Sequence, residues 1–147
     1  MGAIMDKYMN ANIVFSKFAR DYMELKKDLP IRPSEMGVLN IVSHRDGDFT
    51  PLMLAEMIGV SKPMITAHIR ALGKKGYIVK VGSDEDGRSF FVRPTEKGRA
   101  LADEFEARQK EYLKTIESSL GTAEFDMLVC QLGKAQTAIE RINKKEV

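Results

Sequence analysis

The fifteen residues from Ser61 to Lys75, SKPMITAHIRALGKK, carry four cations and no carboxylate. At roughly 100° per residue, Ile65, Ile69 and Leu72 share one helical face and predict a core contact. The opposite face collects Pro63, Thr66, Ala67, Arg70 and Lys74, with Lys62 and Met64 on its flanks. These residue types suit a DNA groove. Small residues in the first turn permit close approach. The Thr66 hydroxyl can donate or accept at a base edge, and its methyl can touch thymine. Arg70 can reach a guanine or a phosphate. The backbone N–H groups near Ser61 and Lys62 can bind a phosphate, as helix N-termini do. A surface helix serving only as scaffold would more often alternate Glu and Lys. His68 borders the core side, in position to pack or to touch a phosphate.

That helix needs elements to hold it. LMLAEMI predicts a short helix, Gly59-Val60 a turn, and Ser61 the cap of the longer helix, which is helix-turn-helix spacing. Thr50-Pro51 reads as N-cap followed by proline at the first helical position. Gly76 supplies a left-handed stop. Tyr77–Val81 then reads as a strand, SDEDGR as a turn and SFFVR as the returning strand. A hairpin directly after a recognition helix is a wing, whose tip lies over the adjacent minor groove. Arg88 at that tip meets the negative potential of a narrow minor groove. Asp86 can aim the guanidinium through a charge-assisted bond, and Gly87 permits the tight turn between them.

Long seamed helices flank this module. Ile4, Tyr8, Ala11, Phe15, Phe18, Tyr22 and Leu25 recur at spacings of four and three, until Pro30 and Pro33 bracket the exit. A second helix follows with Met36, Leu39, Ile41 and Val42 on its apolar side. Ser34 is one candidate for its cap, and Arg32 before Pro33 is the other. Thr95 opens a long helix marked by Leu101, Phe105, Tyr112, Ile116 and Leu120. Gly121-Thr122 breaks it, and Phe125, Leu128, Val129, Leu132, Gln136, Ile139 and Ile142 mark the last one. The expected fold is mainly α with a small β-hairpin wing. A winged helix-turn-helix DNA-binding lobe at 31–99 lies between dimerisation helices at 1–30 and 100–147. Seams at both ends require partners, which predicts a homodimer.

The chain has 147 residues and a net charge of +2. From Ser61 to Arg99, nine bases face four acids, a net +5, so the remaining segments carry −3. A basic segment in a near-neutral chain points to contact with a polyanion. No apolar run approaches the ~18 residues of a membrane span, and Asp6 and Lys7 interrupt any export signal. A cytoplasmic protein without membrane contact is expected. Cys130, the single cysteine, can form no intramolecular disulfide. Its neighbours Val129 and Leu132 predict a buried structural thiol. His44 and His68 form no ligand cluster, so no metal is expected. There is no glycine-rich phosphate loop, nucleophile elbow or paired His/Asp arrangement, so neither catalysis nor a cofactor is expected. The competing readings are a winged helix used only for protein contacts and a thiol-based redox-sensing regulator.

Two stretches also resemble the MarR family of winged-helix regulators. GVSKPMITAHIRALGKKGYI is similar to its recognition helix, including the Lys-Lys-Gly ending after Leu72. DGRSFFVRPTEKG resembles its wing, with the Asp-x-Arg pair at Asp86 and Arg88 and the Thr-Glu-Lys-Gly entry at Thr95 to Gly98. Pro94 departs from the family's usual leucine and is expected to shorten the wing strand. The resemblance implies a homodimer that places two winged lobes on a double-stranded, pseudo-palindromic operator. It commonly implies a repressor released by a small effector, often an aromatic anion, bound between dimer helices and lobe. Recognition helices would then lie about 34 Å apart, one turn of DNA. An effector preferring a different lobe spacing would lower DNA affinity. Phe18, Tyr22, Met36 and Arg45 fall near the lobe junction and are candidates for its pocket.

Overall fold

The computed structural model describes residues 6–24, 27–82 and 89–145; Asp86 and Arg88 of the wing lie outside these residues. The order is α1 (Lys7–Glu24), α2 (Pro33–His44), α3 (Pro51–Ile58), α4 (Lys62–Lys74), β1 (Ile78–Gly82), β2 (Phe90–Pro94), α5 (Glu96–Leu120) and α6 (Thr122–Lys145). The backbone divides into two compact units, Met1–Glu104 and Phe105–Val147. The boundary falls inside α5, so α1 to α4 and the strand pair lie in the first unit.

Local chemistry explains most of the element ends. Thr50 caps α3, its Oγ1 accepting from the Met53 N–H at 3.2 Å. Ser61 caps α4, its Oγ accepting from the Met64 N–H at 3.3 Å. Gly59 closes α3 at φ 72° and Gly76 follows α4 at φ 80°, both in the left-handed region that glycine adopts without a Cβ penalty. For α2 the chain selects Arg32 rather than Ser34 as N-cap. Glu35 explains the choice: its Oε2 accepts from the Arg32 N–H at 3.1 Å, satisfying a donor that the arginine side chain cannot.

The core of the first unit is the apolar side of the helix-turn-helix. Met36, Val38, Leu39, Leu54, Ile65, Ile69, Leu72 and Val92 are each less than 2% exposed. All three residues expected on the inner face of α4 are among them.

Strands β1 and β2 pair antiparallel, from Ile78 opposite Pro94 to Gly82 opposite Phe90. Pro94 does not shorten the strand; it is the last residue of β2. The hydrogen bonds show why. The Val92 N–H points away from β1 and donates to the Phe49 carbonyl at 2.8 Å, while the Thr95 N–H points toward the β1 side and donates to Tyr77 at 3.0 Å. Position 94 has the parity of Val92, so its missing N–H removes no bond to β1.

The Thr95–Gly98 turn ties the end of α4 to the start of α5. The Thr95 hydroxyl donates to the Gly76 carbonyl at 2.6 Å and accepts from the Gly98 N–H at 3.1 Å. Lys97 Nζ donates to the Lys75 carbonyl at 2.8 Å and lies 4.6 Å from the centre of the Tyr77 ring. Gly98 is buried against the Tyr77 backbone, where a Cβ would fall on the carbonyl oxygen.

No residue of α1 is buried. In the second unit Gly121, at φ 88°, separates α5 from α6, and Phe125 and Leu128 are half-buried. Cys130 is exposed, against the expectation of a buried thiol. Its neighbours Val129 and Leu132 are themselves 55% and 45% exposed, so the apolar side of α6 gives the sulfur no cover among the described residues.

Candidate nucleic-acid interface

Helix α4 presents the expected outer face. Ser61, Lys62, Pro63, Thr66, Ala67, Arg70 and Lys74 are all exposed, while Ile65, Ile69 and Leu72 anchor the inner side. Among the described residues, no carboxylate pairs with Lys62, Arg70 or Lys74. Other cations of the basic segment are engaged. Arg93 donates from Nε and Nη2 to Asp48 at 3.1 and 2.8 Å. Lys75 donates to the Pro30 carbonyl at 3.3 Å, and Lys97 is held at Lys75. The cations on the outer face of α4 thus stand exposed without a carboxylate among the described residues, while Lys75, Arg93 and Lys97 are held within the lobe.

Thr66 is more restricted than its residue type suggests. Its hydroxyl donates to the Lys62 carbonyl at 2.9 Å. Toward a base edge it therefore offers lone pairs and a methyl group, not a proton.

Two cavities flank α4. One, of about 300 Å³, is lined by Thr50, Leu52, Lys62, Thr66 and Phe90 among others. The other, of about 620 Å³, includes Ser61, Pro63, Ala67 and His68. None of the four effector-pocket candidates lines either cavity. Phe18 and Tyr22 stack on α1 with ring centres 5.9 Å apart. Arg45 is the exposed C-cap of α2. Met36 is completely buried. It is a core residue and not a pocket wall, because a ligand could reach it only by displacing packed side chains.

The Thr95–Gly98 clamp and the Asp48–Arg93 pair were missed as positioning elements. The Thr-x-x-Gly spacing was a visible sign of a cap, but the close approach of residue 98 to Tyr77 had no local signal. The Ser61 cap gives a direct test of how far α4 depends on its first turn. Ser61→Ala should cost about 1 kcal/mol, read as a lower urea midpoint with an unchanged slope.

The family model of the transcriptional regulators SarA/Rot matches residues 21–105. YdgJ of Bacillus subtilis (strain 168), an uncharacterised HTH-type transcriptional regulator, is 22% identical over 112 residues, covering 76% of this chain and 68% of YdgJ. Among solved structures, Streptococcus pneumoniae FabT in complex with DNA superposes with a TM-score of 0.76 at 21% identity, covering 93% of this chain and 99% of FabT. NMB1585, a MarR family regulator from Neisseria meningitidis, does so with a TM-score of 0.75 at 15% identity, covering 97% of this chain and all of its own. The fold is the MarR-type winged helix, and the chain belongs to the SarA/Rot family of transcriptional regulators.

Proposed function

We propose that this regulator binds a specific double-stranded operator as a homodimer, inserting α4 into the major groove and reaching the minor groove with the wing. The observation that carries this reading is the outer face of α4, where Lys62, Arg70 and Lys74 stand exposed without a carboxylate partner among the described residues. FabT, of the same fold, is solved on DNA. In this reading Ser61, Lys62 and Lys74 contact phosphates, Pro63 and Ala67 allow close approach, and Thr66 and Arg70 read bases. Arg88, aimed by Asp86, enters the minor groove. The protein represses by occupying the operator, works in the cytoplasm and performs no catalysis.

The homodimer is supported by unpartnered apolar surface on the terminal helices. Phe15 of α1 is 64% exposed, and Met127 and Ile142 of α6 are 63% and 58% exposed. Side chains of this kind in such number mark an association surface. No helix among the described residues is long and apolar enough to cross a membrane. Release is assigned to a small aromatic or anionic effector. The stack of exposed Phe18 on half-buried Tyr22 and the exposed Arg45 guanidinium are groups that could recognise one.

The test is binding of the purified protein to its own upstream intergenic DNA, titrated with salt and with excess unrelated duplex. Saturable binding that survives the competitor, with a steep salt slope, is the expected result, alongside a dimer in analytical ultracentrifugation. Binding abolished by the competitor at every candidate site would remove sequence-specific recognition from the reading.

A further inference from the structure

The side chains of α4 limit which bases it can read. From Ser61 to Lys75 there is no Asn or Gln, whose carboxamide makes the paired bond to adenine, and no Asp or Glu to accept from the cytosine amino group. The cations Lys62, Arg70 and Lys74 suit guanine or phosphate. The Thr66 hydroxyl has given its proton to the Lys62 carbonyl, and the Ser61 oxygen holds the Met64 N–H at 3.3 Å. The rest of the exposed surface in the first two turns is apolar and belongs to Pro63, Met64 and Ala67.

We propose that Met64 reads the 5-methyl group of a thymine in the major groove and is a specificity-determining residue of this regulator. The inference rests on the DNA-binding reading above and deepens it, giving a role to a side chain which that reading leaves unassigned.

Met64 is 48% exposed although its side chain is large and apolar. Its backbone is fixed from both sides, by the Ser61 cap on its N–H and by the next residue, Ile65, which is 2% exposed in the core. The thioether is therefore carried on a rigid turn with about half its surface in water. It lines the groove of about 620 Å³ together with Pro63, Ala67 and Ala71. Ala67, three positions on and next to Met64 along the helix surface, has no side chain beyond Cβ to hold a base edge away. Thymine is the base whose major-groove edge carries an apolar group. Contact between that methyl and the thioether takes both out of water, and an unbranched side chain can bend to follow the methyl. Charge selects DNA over an apolar protein partner as the occupant. The fifteen residues from Ser61 to Lys75 carry four cations, no carboxylate and no Phe, Tyr or Trp, whereas the core of a protein-binding face is depleted of charge and enriched in aromatics.

The experiment uses the operator duplex with each thymine replaced singly by uracil, which removes the methyl and keeps the base pairing. Wild type and Met64→Ala are compared on every duplex and on an unrelated one. Loss of one methyl contact is expected to weaken wild-type binding about fourfold at one thymine position. Met64→Ala should weaken binding to the unmodified operator by a similar factor, leave the unrelated duplex unchanged, and abolish the uracil effect at that position alone, because the two changes remove the same contact. If no uracil substitution weakens wild type, methyl readout is overturned while the DNA reading stands. A uracil effect that persists in full at every position in Met64→Ala would assign the methyl to another residue and overturn the role of Met64. Equal weakening of operator and unrelated duplex in Met64→Ala would make it a backbone contact, which also overturns the proposal. Failure of wild type to prefer the operator over the unrelated duplex would sink the reading on which the proposal depends.

Discussion

Gly98→Ala should destabilise the lobe by about 1–3 kcal/mol, the cost of forcing an extra carbon into a packed site. The sign is opposite to the usual one. Inside a helix, glycine to alanine ordinarily gains up to about 1 kcal/mol. Here the new Cβ would fall on the Tyr77 carbonyl oxygen and would also meet Leu39 Cδ1 at 3.1 Å. The leucine can adjust. The carbonyl cannot, because it accepts the Thr95 N–H that joins the strand pair to α5. The expected readout is a lower urea midpoint with an unchanged slope. Gly73→Ala is the matched control. It lies in α4 with nothing within 4 Å of a built Cβ, and should raise the midpoint. Equal behaviour of the two variants would show that α5 shifts to absorb the clash, and that the clamp does not fix the lobe.

Arg70→Ala should weaken operator binding by about 1–3 kcal/mol if Arg70 reads a base, and should relax preference at one base pair. The structure puts Arg70 on the exposed side of α4, one residue after the buried Ile69. Its backbone is thus anchored by core packing while its guanidinium has no carboxylate partner among the described residues. The variant should fold with wild-type stability, since it removes no buried contact. Selection of bound sequences from a random pool is the measurement. A broadened preference at one position identifies direct readout. Uniform weakening on all sequences, with a salt slope lower by about 0.9, makes Arg70 a phosphate contact. Unchanged affinity would remove Arg70 from the interface.

The sequence by itself determined the elements whose signals are local. Thr50-Pro51, Ser61, Gly59 and Gly76 mark ends because capping and left-handed turns involve residues within a few positions of one another. The inward set Ile65, Ile69 and Leu72 and the outward set around Thr66 and Arg70 follow from helical periodicity, which needs no knowledge of the partner surface. The absence of acids along α4 was likewise visible in the one-dimensional string.

Tertiary structure decided what depends on residues distant in sequence. Asp48 takes Arg93, 45 positions away, and Pro30 takes Lys75, also 45 away. Net charge over a segment could not separate these internally bound cations from those left exposed. Pro94 stayed in β2 because strand parity, set by the Phe49–Val92 and Tyr77–Thr95 bonds, turned its missing donor away from β1. Met36 lies on the apolar side of α2, as its helical position indicates, but only the packed lobe shows that it is completely buried. Cys130 went the other way, since an apolar flank along a helix becomes a buried one only when another surface covers it. Periodicity names the face of a helix. Only the packed chain shows which face is covered, and which cations and donors remain for DNA.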